Sequence, residues 1–264
     1  MTRKSNKRNV IDKIFNRLRE IHPDSRIIAF DNDEIKGISG EAFKNQFDAT
    51  KYDSSILLPQ SLRNAGFFIL HLGRGSHAFV KGEGYHKFES ITQIKEWKTN
   101  ESIMDELSKS EAQTASTAFN DKIIHDFLFN DTKKDIKLHT ARRAKVQYSL
   151  IIGNNKIEMN NLQIEMDGVY ECESEKTIAV VEVKNTEHPD FEIRQLFSDM
   201  KYFEVHKGIE IPNNYRIRYL FMIRIKDGKN DMFKIYEYDF KNKEDPNSIY
   251  LKKSVQYNII HGSH

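Results

Sequence analysis

The segment TIAVVEVK, residues 177–184, constrains the fold most, because it is apolar on both faces over most of its length. Side chains alternate between the two faces of a strand, so Ile178 and Val180 share one face with Glu182 and Lys184. A strand that is apolar on both faces lies inside a sheet that is covered on both sides. Charged groups on a buried face are costly unless they are paired or open to a cleft. The segment therefore predicts a central strand whose charged residues are either paired or open to a cleft.

The hairpin before this strand places further charged residues beside it. If the hairpin folds symmetrically about its polar turn, Asp167 lies opposite Glu182, and Glu165 lies opposite Lys184. Directly opposed residues have Cβ atoms roughly 4.5–5.5 Å apart, so two facing carboxylates repel unless a cation lies between them. Mg²⁺ is a hard cation that commonly takes one or two carboxylates and completes its shell with water and substrate phosphate. The register predicts a site of this kind.

A second interpretation of the same residues needs no metal. Asp167 and Gly168 can form an exposed bend while Glu165 makes a salt bridge to Lys184, since scattered charges on half-exposed strands are common. A turn displaced by one residue would also move one of the side chains to the other face. Geometry alone leaves the metal site and the salt bridge both open.

The hydrophobic pattern of the remaining chain predicts a mixed α/β fold. Predicted helices cover residues 9–20, 110–127 and 190–208, and predicted strands cover 66–88 (a pair), 145–152, 157–171, 177–184, 215–225 and 231–240. The order in the second half is α-β-β-β-α-β-β, which indicates a mixed central sheet flanked by helices. We expect an N-terminal α+β region, a core and a C-terminal tail over residues 1–108, 109–256 and 257–264.

Composition excludes several kinds of chemistry. The single Cys172 cannot form an intrachain disulfide or a cysteine-based zinc cluster, and the ten histidines show no H-E-x-x-H spacing. No apolar run approaches the roughly 20 residues that span a bilayer, and the N-terminus lacks the apolar segment of a signal peptide. We therefore expect a cytoplasmic protein without a membrane partner. The net charge of +2 names no partner by itself.

The hairpin and its surroundings resemble the PD-(D/E)XK nuclease superfamily, and type II restriction endonucleases in particular. The matching residues are Asp167 and, after the turn, Glu182, Val183 and Lys184, which fit the signature of an acidic residue, a spacer and acidic-x-Lys. The segments IEMDGVYE, VEVKN and FEIRQLF are together similar to those of a group of restriction enzymes. The resemblance covers residues 110–205 and implies a restriction-endonuclease-like core.

The resemblance also implies roles for the residues of the signature. Asp167 and Glu182 would bind Mg²⁺ together with the backbone carbonyl of Val183, and Lys184 would position the attacking water. Phosphodiester hydrolysis needs an in-line water, a cation that neutralises developing charge and a group that orients the nucleophile. Because a lysine beside carboxylates keeps a high pKa, water positioning is favoured over base catalysis.

Three further side chains are candidates for supporting roles at this site. Glu111, at the start of its predicted helix, can reach the metal site or can simply be a favourable charge at a helix N-terminus. Gln195 corresponds to a glutamine that often follows the acidic-x-Lys strand, and it supports the site or contacts DNA. Glu165 is either a site acid or the partner of Lys184.

A short basic cluster is the candidate for DNA contact. Arg142, Arg143 and Lys145 stand just before the first predicted strand of the core. They can bind the DNA backbone or read guanine through bidentate contacts, and the alternative is a solvated loop.

The function implied by the resemblance is a Mg²⁺-dependent endonuclease that cuts double-stranded DNA at a short specific sequence, as type II restriction enzymes do. Cutting both strands usually needs two active sites, which makes a homodimer the simplest assembly. Residues 1–108 would then serve target recognition, dimerisation or both. A repair or junction-resolving nuclease on the same core and a catalytically inactive DNA-binding module are the alternatives. The intact set of Asp167, Glu182 and Lys184 argues against the inactive module.

Overall fold

The fold is a mixed α/β arrangement in which a large mixed sheet is joined by a small N-terminal one. The computed structural model describes residues 3–43, 45–100, 102, 110–205, 211–227 and 230–262. The helices are α1 Arg3–Ile21, α2 Asn32–Ser39, α3 Gln60–Ala65, α4 Glu111–Asn120, α5 Ile123–Phe129 and α6 Arg194–Val205. None of the helices in these ranges combines the length and the apolar character that a membrane crossing requires.

The strands fall into three sheets. They are β1 Ile27–Asp31, β2 Phe67–Gly73, β3 Ser76–Lys81, β4 Tyr85–Lys87, β5 Gln93–Thr99, β6 Lys137–Ile152, β7 Asn155–Cys172, β8 Thr177–Lys184, β9 Asp190–Glu192, β10 Arg216–Asp227, β11 Asn230–Phe240 and β12 Ile249–His261. The small sheets have the orders β1-β3-β2 and β4-β9, and the large sheet has the order β5-β12-β11-β10-β8-β7-β6.

Strand β8 lies inside the large sheet, as its sequence predicts. It pairs antiparallel with β7 and parallel with β10, so the sheet is mixed. Ala179, Val181 and Val183 face a core cluster that includes residues of α4 and α5, whereas Val180 belongs to the cluster that includes residues of α6 and the N-terminal region. The prediction of a mixed sheet with helices against it is therefore confirmed.

The N-terminal region packs helix α1 against the small sheet β1-β3-β2. Ile11 and Ile14 are fully buried, and the Phe15 ring lies 5.2 Å from that of Phe67 and 5.1 Å from that of Phe79. The helix predicted over residues 9–20 makes these contacts through its apolar face. The small sheet is thereby fixed as one face of the N-terminal region.

Several boundaries differ from those predicted. The helix expected over residues 110–127 is interrupted at Lys122, which has φ 63° and separates α4 from α5. Strand β5 lies in the polar segment 91–110 and pairs in parallel with β12 at the edge of the large sheet. Strand β12 continues to His261, through most of the segment expected to be a tail. Hydrophobic periodicity missed β5 because only Ile94 and Trp97 are apolar in it, and Ile94 is exposed.

The turn between β2 and β3 joins the two larger sheets. Gly73 has φ 97°, and a Cβ added there would lie 2.0 Å from the Asn160 carbonyl oxygen of β7. Asn161, at φ 50°, lies in a bulge of β7. Its amide oxygen accepts hydrogen bonds from the Arg74 guanidinium. The turn through Gly73, Arg74 and Gly75 is therefore a tight strand connection that packs directly against the backbone of β7.

Replacing Gly73 with alanine should destabilise the protein by about 2–5 kcal/mol, because strained φ and overpacking against a carbonyl add together. The matched control is Gly153→Ala, since Gly153 has φ 59° but nothing lies within 4 Å of an added Cβ. That control should cost only about 1–2 kcal/mol from the left-handed backbone. Urea denaturation of both variants measures the difference, and equal losses would contradict the close approach of the turn to β7.

Candidate functional site

A cavity of about 870 Å³ opens between the small sheet and the large sheet. Residues of both sheets line it, among them His71 and His77 on one side and Asp167, Glu182 and Lys184 on the other. The predicted acidic residues and the lysine thus share one cavity, which the N-terminal region helps to close.

Asp167 lies where β7 separates from β8. The ladder between the two strands follows the predicted register from Cys172–Thr177 to Gly168–Val181, which puts Asp167 next in line to face Glu182. The Asp167 carboxylate accepts a hydrogen bond of 2.8 Å from the backbone N–H of Val183. This contact holds the carboxylate across the hairpin from Glu182 and leaves the role of the Val183 carbonyl a prediction.

Lys184 is held by two carboxylates. Its Nζ donates to Glu182 Oε1 at 2.6 Å and to Glu111 Oε1 at 3.0 Å. Glu182 also accepts from the Gln195 amide at 2.5 Å. The side chains of Lys184 and Glu182 are only 14% and 9% exposed, whereas that of Glu111 is 43% exposed. The structure therefore brings together four side chains that the sequence had suggested from three separate elements.

Burial and crowding shift the ionisation of this group. Burial, and after it the Glu182 carboxylate, raise the pKa of Asp167 to about 8, against a lowering by the Val183 N–H and Lys184. Burial also raises the pKa of Glu182, although Lys184 opposes the shift. Burial lowers the pKa of Lys184, but Glu182 and Glu111 outweigh that effect and raise it. At neutral pH the lysine is a cation, whereas the Asp167 carboxyl, with its pKa of about 8, is mostly protonated when no cation is bound.

Glu165 does not occupy the position expected from the register. Its carboxylate pairs with the Arg143 guanidinium at 3.1 Å, and the recorded partners of Lys184 are Glu111 and Glu182 instead. The predicted Glu165–Lys184 contact is wrong because β7 and β8 separate after Gly168, so the register does not extend that far. Glu165 still lines the cavity, and a role for it as a site acid remains a prediction.

The basic cluster lies within a strand and not before one. Arg142, Arg143 and Lys145 are exposed residues of β6, which is an edge strand of the large sheet. The sequence misplaced them because their polar neighbours obscure the first half of this strand. Of the three, Lys145 also lines the cavity.

Three acidic residues that line the cavity were not predicted from the sequence, and they are Asp53, Glu192 and Asp199. Asp199 lies on α6 one turn after Gln195, and it is 2% exposed. Burial, Glu182 and Asp167 raise its pKa well above the ordinary value, against the opposing charge of Arg194. Its Oδ2 and the Gln195 Oε1 are buried without a hydrogen-bond partner in the described ranges. The four-residue spacing on one helix face was the available signal.

The donor set of this wall suits a hard divalent cation. It consists of carboxylate and amide oxygens, the ligand type that Mg²⁺ prefers in proteins. Two of the carboxyl groups, on Asp167 and Glu182, have pKa values raised by burial, and a cation would offset that cost. Within the described residues, no group of three or more His, Cys, Asp or Glu side chains is arranged to hold a metal by itself.

The chain belongs to the family described as domain of unknown function (DUF6997), whose model matches residues 80–258. Residues 8–79 match a second family, also described as a domain of unknown function (DUF6996). The cavity is lined from both matched regions, since His71 lies in residues 8–79 and Asp167 in residues 80–258. No curated protein and no solved structure matches the chain.

Replacing Asp167 with asparagine should stabilise the metal-free protein at alkaline pH. The folded carboxyl has a raised pKa of about 8, so the folded state keeps a proton that the unfolded chain releases. Stability from this group therefore falls as pH rises between about 4 and 8. Asparagine removes the charge and can still accept the Val183 N–H.

The melting temperature of Asp167→Asn in EDTA should exceed that of wild type by about 2–6 °C at pH 8.5 and by much less at pH 5. Glu165→Gln is the control, because Glu165 is a more exposed carboxylate of the same strand that is paired with an arginine. An Asp167→Asn protein that melts no higher than wild type at pH 8.5 would contradict the assigned burial.

Proposed function

We propose that this member of the DUF6997 family is a Mg²⁺-dependent endonuclease that hydrolyses phosphodiester bonds of double-stranded DNA, on a restriction-endonuclease-like core. One observation carries the proposal: Lys184 is held between Glu182 and Glu111, beside Asp167, at the end of a central strand that borders a cavity. The resemblance to PD-(D/E)XK nucleases had nominated the same residues from sequence.

Asp167 and Glu182 are the residues that would hold Mg²⁺. Two carboxylates are a common protein contribution to a Mg²⁺ site, because waters and substrate phosphate fill the remaining positions. When bound, the ion neutralises charge that develops on the phosphate and lowers the pKa of bound water. The Asp167 Oδ2 accepts the Val183 N–H, and the carboxylate keeps further lone pairs with which it can bind the ion.

Lys184 would act as a fixed donor and not as a base. Its raised pKa keeps the ammonium charged at neutral pH, so it cannot accept a proton from water. An ammonium has three N–H donors, and two of them are directed to Glu182 and Glu111. The third can orient an attacking water or a phosphate oxygen. Preorganised donors of this kind require no rearrangement during the reaction.

Glu111 and Gln195 would act as positioning residues. Glu111 lies at the start of α4, where Ser110 caps the helix by accepting from the Gln113 N–H, so its carboxylate is fixed at one end of Lys184. Gln195 donates to Glu182 and fixes the orientation of that carboxylate. Both contacts keep the lysine and the carboxylate in one geometry.

The exposed edge strand β6 is the proposed contact for the DNA backbone. Arg143 and Lys145 lie on one face of this strand and Arg142 on the other, because successive side chains alternate, and Lys145 lines the cavity. Basic side chains beside a hydrolytic site bring phosphates to it through charge attraction. A homodimer would supply the second active site that double-strand cleavage needs.

A type II restriction enzyme is the preferred form of this function, and a repair or junction-resolving nuclease is the alternative. The two differ in substrate, because a restriction enzyme cuts unbranched duplex at defined positions. A DNA-binding module without activity would have no use for the buried lysine and carboxylates. Their arrangement favours an enzyme over that module.

Wild-type protein with Mg²⁺ should convert a sequenced plasmid to discrete fragments, and Lys184→Ala should reduce the cleavage rate by about 10²–10⁴-fold through loss of a positioned donor. Lys156→Ala is the matched control, because Lys156 is a surface lysine of β7 that is paired only with Glu158. Gel analysis and end mapping measure the result. An inactive wild type, or a Lys184→Ala protein as active as wild type, would overturn the enzyme proposal.

Mg²⁺ should raise the melting temperature of the wild type, because a ligand that binds only the folded state stabilises it by mass action. Glu182→Gln should abolish this rise, whereas Glu158→Gln, an exposed carboxylate on β7, should keep it. Differential scanning fluorimetry over a Mg²⁺ series measures the effect. An equal rise in wild type and Glu182→Gln would place the cation elsewhere.

A further inference from the structure

The part of the cavity lining that comes from the N-terminal region includes a chain of three hydrogen-bonded side chains. Asn32 Oδ1 contacts His77 Nε2 at 3.0 Å, and His77 Nδ1 contacts His71 Nδ1 at 3.0 Å. His71 and His77 are 2% and 1% exposed. Asn32 is itself held in place, since its backbone N–H donates to the Gly75 carbonyl at 3.0 Å.

The order of this chain fixes where each proton lies. An amide oxygen only accepts, so His77 Nε2 carries a hydrogen and donates it to Asn32. A neutral His77 then has a bare Nδ1, which accepts the hydrogen on His71 Nδ1. A neutral His71 is left with a bare Nε2. Among the described residues, none donates to that nitrogen.

Both rings stay neutral over the physiological range. Burial lowers the pKa of His71 well below its ordinary value, and the nearby Arg194 and His77 lower it further. Burial lowers the pKa of His77 to about 4, although Asp31 opposes the shift. The His71 Nε2 is therefore a permanent hydrogen-bond acceptor.

The surroundings of His71 have the composition of a surface that binds flat rings. The half-buried Phe47 ring lies 4.3 Å from that of His71 and also lines the cavity. The amides of Asn32 and Asn45 and the ammonium of Lys51 line the same wall. Aromatic faces bind bases by stacking, and amides bind their polar edges.

We propose that His71 Nε2 accepts a hydrogen bond from the Watson–Crick edge of an unpaired DNA base that enters the cavity. The inference rests on the proposed nuclease function and adds that one nucleotide leaves the duplex near the cleavage site. Each of the four DNA bases carries an N–H donor on that edge.

Two features of the wall favour a base over a phosphate and an unpaired base over a paired one. A bare imidazole nitrogen accepts hydrogen bonds and repels phosphate oxygens, which are also acceptors. A histidine that is 2% exposed at the wall of a cavity of about 870 Å³ is out of reach of a base still stacked in a duplex. Enzymes that bind a base in such a pocket take it out of the stack.

The test uses short oligonucleotides of abasic residues that carry one central nucleoside, with full-length protein in EDTA so that no cleavage occurs. The central position is deoxyadenosine, deoxycytidine, deoxypurine or abasic, and fluorescence anisotropy gives the dissociation constants. Deoxypurine keeps the stacking surface of adenine but has no N–H donor on its Watson–Crick edge. The probe that carries deoxyadenosine should bind about 10-fold more tightly than the deoxypurine probe, the loss expected when an acceptor stays unpaired.

His71→Leu should remove the difference between these two probes, and Glu158→Gln, which changes an exposed carboxylate of β7 outside the cavity, should keep it. The comparison between probes on wild-type protein does not depend on whether a variant folds. Equal binding of the deoxyadenosine and deoxypurine probes by wild type would overturn the inference, as would an undiminished difference in His71→Leu. Plasmid cleavage without base discrimination would support the nuclease proposal and refute base binding at His71. Base discrimination without plasmid cleavage would support base binding and refute the nuclease proposal.

Discussion

The contact between Lys184 and Glu182 is the interaction on which the arrangement of the cavity depends. Removing one partner of a buried ion pair leaves an uncompensated charge and costs about 3–5 kcal/mol, so neither residue can change alone. The pair lies at the end of the central strand, where Glu111 from α4 and Gln195 from α6 both contact it. Helices on opposite faces of the sheet are thus bound to one pair of charges. Two well-packed apolar residues would stabilise the strand as well or better. The presence of a buried ion pair instead supports the proposed catalytic role of these two residues.

The N-terminal region turns this charged edge of a sheet into a cavity. The tight turn at Gly73 packs against the Asn160 carbonyl in β7, and the same turn holds Asn32 through Gly75. These two contacts of one turn therefore help to position both the N-terminal wall of the cavity and the hydrogen-bonded histidines on it. The two matched family regions meet at this cavity, so each contributes one of its walls. Under the proposed function, a phosphodiester at the carboxylates and a base at His71 would be bound together only when both regions are present.

Local patterns predicted much of the fold, and contacts distant in sequence account for the rest. The apolar alternation of TIAVVEVK and the symmetry of its hairpin were enough to predict a central strand and to bring Asp167 towards Glu182. The same symmetry failed for Glu165, because strands separate at a cleft and register arguments end there. His71 and Asp199 were not predicted, because His71 lies in an apolar strand and the signal for Asp199 was limited to its four-residue spacing from Gln195 on one helix face. Their role is visible only when elements distant in sequence are packed together.

We propose that the carboxylates of Asp167 and Glu182, together with Lys184, direct water to a phosphodiester bond. The most direct measurement is cleavage of a DNA substrate in water enriched in ¹⁸O, with Mg²⁺ present, followed by mass spectrometry of the product ends. With wild-type protein, one ¹⁸O atom should enter the terminal phosphate of each cut strand. Glu182→Gln protein should give no labelled ends. Product ends without the label would contradict hydrolysis by water. Labelled ends formed at an undiminished rate by Glu182→Gln would contradict the role of Glu182.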